Sequence, residues 1–132
     1  MSNTSSLWYQ LRDALQTGEF GTASALLAMH PELIGEQNSV GESVLHYLAV
    51  EDCREAVEWL YQRGAVLNST DNYGVPLIFD VAALGYRDLA LWLISQGADP
   101  RLKDAHGQTI EEYLISMDSC EMIEVLRPFI TP

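Results

Sequence analysis

Positive charge and cysteine are both scarce in this chain of 132 residues, and each scarcity excludes a class of function. Seven Lys and Arg residues stand against 19 Asp and Glu, which gives a formal net charge of −12. Such a surface repels nucleic acid phosphates and anionic lipid headgroups, so neither nucleic acid nor a membrane is an expected partner. A basic partner is favoured instead, although the acidity is also compatible with a role in solubility alone.

Only two cysteines are present, Cys53 and Cys120, and they do not form a CxxC pair. This spacing supports neither a zinc site nor a redox pair, and both thiols are expected to be reduced. No apolar run approaches the roughly 18–20 residues needed to cross a membrane, and no basic segment leads into a secretion signal. The chain is therefore expected to be cytoplasmic, with a disordered N-terminus over residues 1–6.

Glycine recurs in this sequence with a fixed period. Gly41, Gly74 and Gly107 are spaced 33 residues apart, and Gly64 and Gly97 keep the same step. A period of roughly 20–50 residues is typical of repeat proteins, in which each unit covers the apolar face of its neighbour. Three residues before each turn glycine comes a side chain that can accept hydrogen bonds from its own turn: Asn38, Asp71 or Asp104.

Apolar residues recur in the same register and predict two helices in each repeat. Those of the first helix form three columns: Val44, Leu77 and Ile110; Leu48, Val81 and Leu114; Ala49, Ala82 and Ile115. Those of the second helix form four: Ala56, Leu89 and Met122; Val57, Ala90 and Ile123; Trp59, Trp92 and Val125; Leu60, Leu93 and Leu126. Because this spacing is that of an amphipathic helix, we expect all of these residues, including both tryptophans, in the core.

The repeat resembles that of the ankyrin family, whose unit reads D-x-x-G-x-T-P-L-H-x-A-A before a second helix and a closing G-A-D. Residues 71–85 follow this pattern closely, and residues 41–49 and 104–109 follow it in part. The resemblance implies an all-α ankyrin-repeat solenoid of about four helix pairs joined by β-turn fingers. It also implies a single domain over residues 7–132, with a capping helix pair at about 7–35 and repeats at about 38–70, 71–103 and 104–131.

The sequence contains no recognisable catalytic or metal-binding pattern. His46 occupies the position of the family histidine, whose role is structural, and His30 and His106 have no cysteine or carboxylate at a ligand spacing. No Ser, Cys or Lys lies in a nucleophile or phosphate-binding motif. We therefore expect no enzyme activity, no cofactor and no metal site.

A column of polar residues on the predicted first helices needs a separate explanation. It consists of Tyr47, Asp80 and Tyr113, where the family usually has apolar residues. Asp80 could accept hydrogen bonds from neighbouring tyrosine hydroxyls, because an unpaired buried carboxylate is unfavourable, or it could be a solvated carboxylate that lines a groove. The second alternative leaves open an enzyme or regulator with a site at this column.

The resemblance implies a concave binding groove built from finger tips and the exposed ends of the first helices. Apolar residues among charged ones at those positions have the composition of a protein interface, with Tyr73 as the preferred anchor. The predicted protein-binding residues are Val40, Glu42, Val50, Glu51, Asn72, Tyr73, Val75, Leu84, His106, Gln108 and Met117.

These features predict a non-catalytic module that binds a protein partner and is monomeric when free. The chain is also similar to small, acidic, stand-alone ankyrin proteins of bacteria with an L-x-x-H-P-E-L link, here residues 27–33. Some of those proteins are immunity factors that neutralise a toxin, and nuclease toxins are often basic. A structural adaptor or a self-associating subunit is the remaining alternative.

Overall fold

The computed structural model describes residues 6–130, and the regular elements within them are all helical. These residues form eight α-helices and one 3-10 helix and contain no β-strand, so the all-α prediction is confirmed. The chain divides into two compact units, one ending at Val66 and the other beginning at Leu67. Of the segment predicted to be disordered, residues 1–5 lie outside the described residues and Ser6 begins the first helix.

The first unit contains two helix pairs. The first pair is α1 (Ser6–Gln16) and α2 (Phe20–Met29), followed by a 3-10 helix (Pro31–Ile34), and the second is α3 (Val44–Val50) and α4 (Arg54–Gln62). Helix α1 packs against α2 and α3, and α3 packs against α4. The core of this unit is apolar and includes Trp8, Leu11, Leu15, Leu33, Leu45, Leu48, Val57 and Leu60.

The second unit also contains two helix pairs, α5 (Leu77–Ala83) with α6 (Arg87–Ser95) and α7 (Ile110–Ser116) with α8 (Glu121–Ile130). Helix α5 packs against α6 and α7, and α8 packs against α6 and α7. The buried residues include Leu77, Val81, Ala82, Leu89, Ala90, Leu93, Ile110, Leu114, Met122, Ile123 and Leu126. All of these belong to the apolar columns of the repeat, whose assignment to the core is confirmed at these positions.

Local hydrogen bonds explain where the first helices of two repeats begin. The Ser43 hydroxyl oxygen accepts the backbone N–H of His46 at 3.1 Å and so caps α3. At α7, the Thr109 hydroxyl oxygen accepts the N–H of Glu112 at 3.2 Å, and the Glu112 carboxylate accepts the N–H of Thr109 at 2.9 Å. The T-x-x-E spacing is the sequence signature of this capping box, which satisfies two donors that a helix leaves unpaired.

One side-chain oxygen closes the turn in each finger. Asp71 Oδ1 accepts the backbone N–H groups of Tyr73 at 2.9 Å and Val75 at 3.2 Å. Gly74, which completes the turn, has a φ of 74°, in the left-handed region that favours glycine. The same pair of bonds is made by Asn38 to Val40 and Glu42, and by Asp104 to His106 and Gln108. The predicted turn-forming role of this column is therefore confirmed.

The two tryptophans of the second helices are less buried than the repeat pattern predicts. Trp59 and Trp92 are both half-buried, because they lie at the edge of the apolar stripe rather than at its centre. Trp59 packs against the ring of Phe20, with centroids 5.7 Å apart. The Arg63 guanidinium carbon lies over the same indole, 3.6 Å from the ring centroid. The expectation that both indoles belong to the core is therefore wrong.

Candidate functional site

The finger turns of consecutive repeats are in direct contact within the second unit. The backbone N–H of Ala105 donates to the carbonyl oxygen of Gly74 at 3.1 Å. A Cβ atom added at Gly74 would lie only 2.3 Å from Ala105 Cβ, well inside van der Waals contact. Tyr73 and His106, two of the predicted binding residues, are sequence neighbours of this contact and are both exposed. The structure therefore brings these two residues onto adjacent turns.

Polar bonds link the first helices of the same unit, α5 and α7. The Tyr113 hydroxyl donates to Asp80 Oδ1 at 3.0 Å, and the rings of Tyr113 and Phe79 lie 5.4 Å apart. The Ser119 hydroxyl, three residues beyond the end of α7, donates to the carbonyl oxygen of Ala83, the last residue of α5, at 2.6 Å. One bond therefore joins the two helices, and a second joins α5 to the segment that follows α7.

Asp80 and Tyr113 have the geometry of a structural pair. Of the two alternatives for this column, the structure shows the one in which Asp80 accepts a tyrosine hydrogen bond. Burial raises the pKa of Tyr113 above its ordinary value, and the charge and hydrogen bond of Asp80 raise it further. A phenol that holds its proton this firmly is poorly suited to acid–base chemistry at neutral pH. The third member, Tyr47, lies in the first unit, where its ring packs edge-on against Trp8 at 5.8 Å.

Comparison with known families agrees with this repeat geometry. A family model described as ankyrin repeats (3 copies) matches residues 11–104 of the chain. The chain belongs to the ankyrin repeat family. Ankyrin repeats are generally protein–protein interaction modules and generally have no enzymatic activity. No curated protein matched this chain.

The ankyrin match ends at Asp104, at the start of the last finger turn. Helices α7 and α8 continue the ankyrin pattern beyond it, because Thr109 caps α7 and the apolar columns keep their spacing to Leu126.

Within residues 6–130, none of the helices combines the length and the apolar character needed to cross a membrane.

Three of the predicted binding residues are large apolar side chains that the ankyrin scaffold leaves accessible. Tyr73, Leu84 and Met117 expose 69%, 49% and 53% of their surface. Leu84 and Met117 are the C-cap residues of α5 and α7, and their N–H groups donate to the carbonyl oxygens of Asp80 and Tyr113. Since residues four apart share a helix face, the two apolar side chains lie one turn beyond the Asp80–Tyr113 pair.

The other predicted residues of the second unit are more polar or more covered. Asn72 and His106 are exposed, whereas Val75 and Gln108 are half-buried. Ile115 adds an accessible apolar side chain, 60% exposed, that the column analysis assigned to the core. That assignment is wrong, because no described helix pair follows α7 and α8 to cover it.

The predicted residues of the first unit present a smaller apolar surface. Val40 is 38% exposed and Glu51 is exposed at the C-cap of α3, while Glu42 and Val50 are half-buried. Glu42 Oε1 accepts the side-chain N–H of Asn38 at 3.1 Å, so part of its hydrogen-bonding capacity is used inside the finger turn. The larger accessible apolar side chains among the predicted residues therefore belong to the second unit.

The two cysteines are free thiols. Cys53 is half-buried, Cys120 is exposed, and neither takes part in a disulfide. Burial raises the pKa of Cys53, and the charges of Glu51 and Asp52 raise it further. Because the thiolate is the nucleophilic form, these surroundings disfavour catalysis by Cys53.

Proposed function

We propose that this protein is a non-catalytic module that binds a basic protein partner through its finger turns and the ends of its first helices. The observation that carries the proposal is the exposure of Tyr73, Leu84 and Met117 in the second unit. Large apolar side chains that are exposed on ordered elements are unfavourable in water, and contiguous patches of them mark protein interaction sites. Tyr73 is the proposed anchor, because a large, rigid and amphipathic ring is typical of binding hot spots.

The remaining proposed contacts belong to both units, and each unit contributes its own set. In the second unit, Asn72, Val75, His106 and Gln108 lie on the finger turns. In the first unit, Val40 and Glu42 lie on the finger turn, and Val50 and Glu51 lie at the C-terminal end of α3. A polar and charged rim around apolar anchors is the usual composition of a transient interface. The half-buried members of this set are expected to contribute less than Tyr73.

The net charge of −12 supports a basic partner. An acidic surface attracts a basic protein over distance and raises the association rate. A toxin that acts on nucleic acid carries positive charge, because it must bind phosphates. The specific role that we propose is neutralisation of such a toxin in the bacterial cytoplasm by a monomeric immunity protein. Two features support it: the net charge, and the resemblance of residues 27–33 to a link found in small bacterial ankyrin proteins, some of which are immunity factors.

Capture from an extract of the native host tests this function. Immobilised wild-type protein should retain a basic protein that the double variant Tyr73→Ala/Leu84→Ala releases, with the helical content unchanged by circular dichroism. Loss of two hot-spot side chains, at about 2 kcal/mol each, weakens binding by roughly 100- to 1000-fold. Association with the captured partner should slow as salt is raised, because charges beyond about 8–10 Å are screened.

A matched control removes apolar surface elsewhere on the protein. Met29 and Phe129 are exposed residues of the second helices α2 and α8. The variant Met29→Ala/Phe129→Ala should therefore capture the same partner as the wild type. Equal capture by both double variants would show that the surface is wrongly assigned, and a salt-independent association rate would argue against a basic partner. Sedimentation of the isolated chain tests the proposed monomeric state.

A further inference from the structure

The three first helices, α3, α5 and α7, end in the same hydrogen-bonded turn. The N–H groups that close it donate to carbonyl oxygens of the helix over 2.8–3.3 Å, from Cys53 to Leu48, from Tyr86 to Val81 and from Ser119 to Leu114. The residue before each donor has a left-handed backbone, where glycine is usual because it has no Cβ. That residue is Asp52, with a φ of 58°, Gly85, with a φ of 79°, or Asp118, with a φ of 57°. Two repeats therefore have an aspartate where the turn favours glycine.

The charge of these two aspartates also lies at the unfavourable end of the helix. The last carbonyl groups of a helix carry a partial negative charge, so a carboxylate directly beyond them is repelled. Asp52 and Asp118 are both exposed, and within residues 6–130 neither carboxylate accepts a hydrogen bond or pairs with a basic side chain. Backbone and charge thus both disfavour aspartate here, and no contact among the described residues offsets them.

Both aspartates directly follow residues of the proposed binding surface. In the first unit Asp52 follows Glu51, and in the second unit Asp118 follows Met117. Residues that lower stability without an internal contact are characteristic of functional sites, where a contact formed on binding offsets the loss. An exposed carboxylate that has no internal partner can also pair with a basic side chain without breaking an existing bond.

We infer that Asp52 and Asp118 pair with basic side chains of the partner and so determine which basic protein is recognised. Charges at the rim of an interface raise the association rate and fix the orientation of the partner, and they repel proteins that bring a like charge to the same place. This inference rests on the proposed function, and it adds to that function two carboxylates on which recognition depends.

The test substitutes asparagine, which removes the charge but tolerates the left-handed backbone as aspartate does. In urea unfolding, Asp52→Asn and Asp118→Asn should each raise the folding equilibrium constant about two- to fivefold, because a negative charge leaves a helix C-terminus. The binding probe is the basic protein purified by capture on the immobilised wild-type protein. Each variant should bind it about three- to fivefold more weakly, mainly through slower association, because a rim ion pair is lost.

Asp88→Asn is the matched control, because the chemical change and the change in net charge are identical. Asp88 is an exposed residue in the first turn of α6, where a negative charge is favourable. This variant should therefore lower the folding equilibrium constant, and it should alter the affinity less than twofold. A purely structural carboxylate would not give a protein that is more stable and binds more weakly, so the opposite signs at Asp52 and Asp118 separate recognition from folding.

Equal weakening of binding by all three variants would overturn the inference, because net charge alone would then explain recognition. A loss of stability in Asp52→Asn and Asp118→Asn would also overturn it, because the carboxylates would then have a structural role. Wild-type affinity in these two variants, together with lost capture in Tyr73→Ala/Leu84→Ala, would refute this inference alone. Unchanged capture by Tyr73→Ala/Leu84→Ala would refute the proposed surface and this inference with it.

Discussion

Substitution of Gly74 by alanine tests the stacking of the finger turns directly. Gly74 has a φ of 74°, and an added Cβ would lie 2.3 Å from Ala105 Cβ and 3.3 Å from Ala105 Cα and N. Because these atoms belong to the backbone or are attached to it directly, no side-chain rotation can relieve the overlap. The two turns must move apart, which lengthens the 3.1 Å hydrogen bond from Ala105 N–H to the Gly74 carbonyl oxygen.

Gly107 provides the matched control for this experiment. Its φ of 76° is nearly the same, but no atom lies within 4 Å of an added Cβ. An alanine in the left-handed conformation costs about 1–2 kcal/mol, and this is the whole expected effect of Gly107→Ala. Gly74→Ala should lose a further ~1 kcal/mol from the weakened hydrogen bond and ~1–3 kcal/mol from overpacking. We therefore expect about 3–6 kcal/mol of destabilisation at Gly74.

Urea unfolding followed by circular dichroism measures both free energies. The double variant Gly74→Ala/Ala105→Gly removes the opposing Cβ and, compared with each single variant, should show a favourable coupling of about 1–3 kcal/mol. If Gly74→Ala destabilises the protein no more than Gly107→Ala, or if the coupling is zero, the two turns are not in contact as described.

Two further predictions concern aromatic residues. Trp8→Ala should destabilise the protein by about 3–5 kcal/mol, because the indole is fully buried and its Nε1–H donates to the Glu36 carbonyl oxygen at 3.1 Å. Trp92→Ala should cost only about 1–2 kcal/mol, because Trp92 is half-buried. Equal losses of stability in urea unfolding would contradict the burial assigned to the two indoles. The raised pKa of Tyr113 means that the folded state holds the phenol proton more tightly than the unfolded state does. The contribution of this proton to the free energy of unfolding is therefore complete below about pH 10 and is lost as the pH rises through the folded-state pKa. Among the six tyrosines, Tyr113 should ionise late in an ultraviolet titration, and Tyr113→Phe should make stability less dependent on pH above 10; an alkaline profile unaffected by this change would refute the pairing with Asp80.

Only part of the candidate surface could be predicted from the sequence. The exposure of Tyr73, Leu84 and Met117 follows from their places in the repeat, since they lie at a turn tip or a helix end and outside the apolar columns. Ile115 was assigned to the core by the same register, although it lies in the last described helix pair. The pairing of Asp80 was one of two alternatives, because nothing in a single sequence shows whether a hydroxyl one repeat away points toward it.

What the amino-acid sequence determined by itself is local and periodic. The 33-residue step can be seen in the sequence itself. The turns closed by Asp71 and Asp104 and the capping box at Thr109 depend on groups within a few residues of one another, so the chain specifies them wherever it folds. Only the tertiary structure decided the half-burial of Trp92 and the bond between Asp80 and Tyr113, because both depend on atoms supplied by another helix.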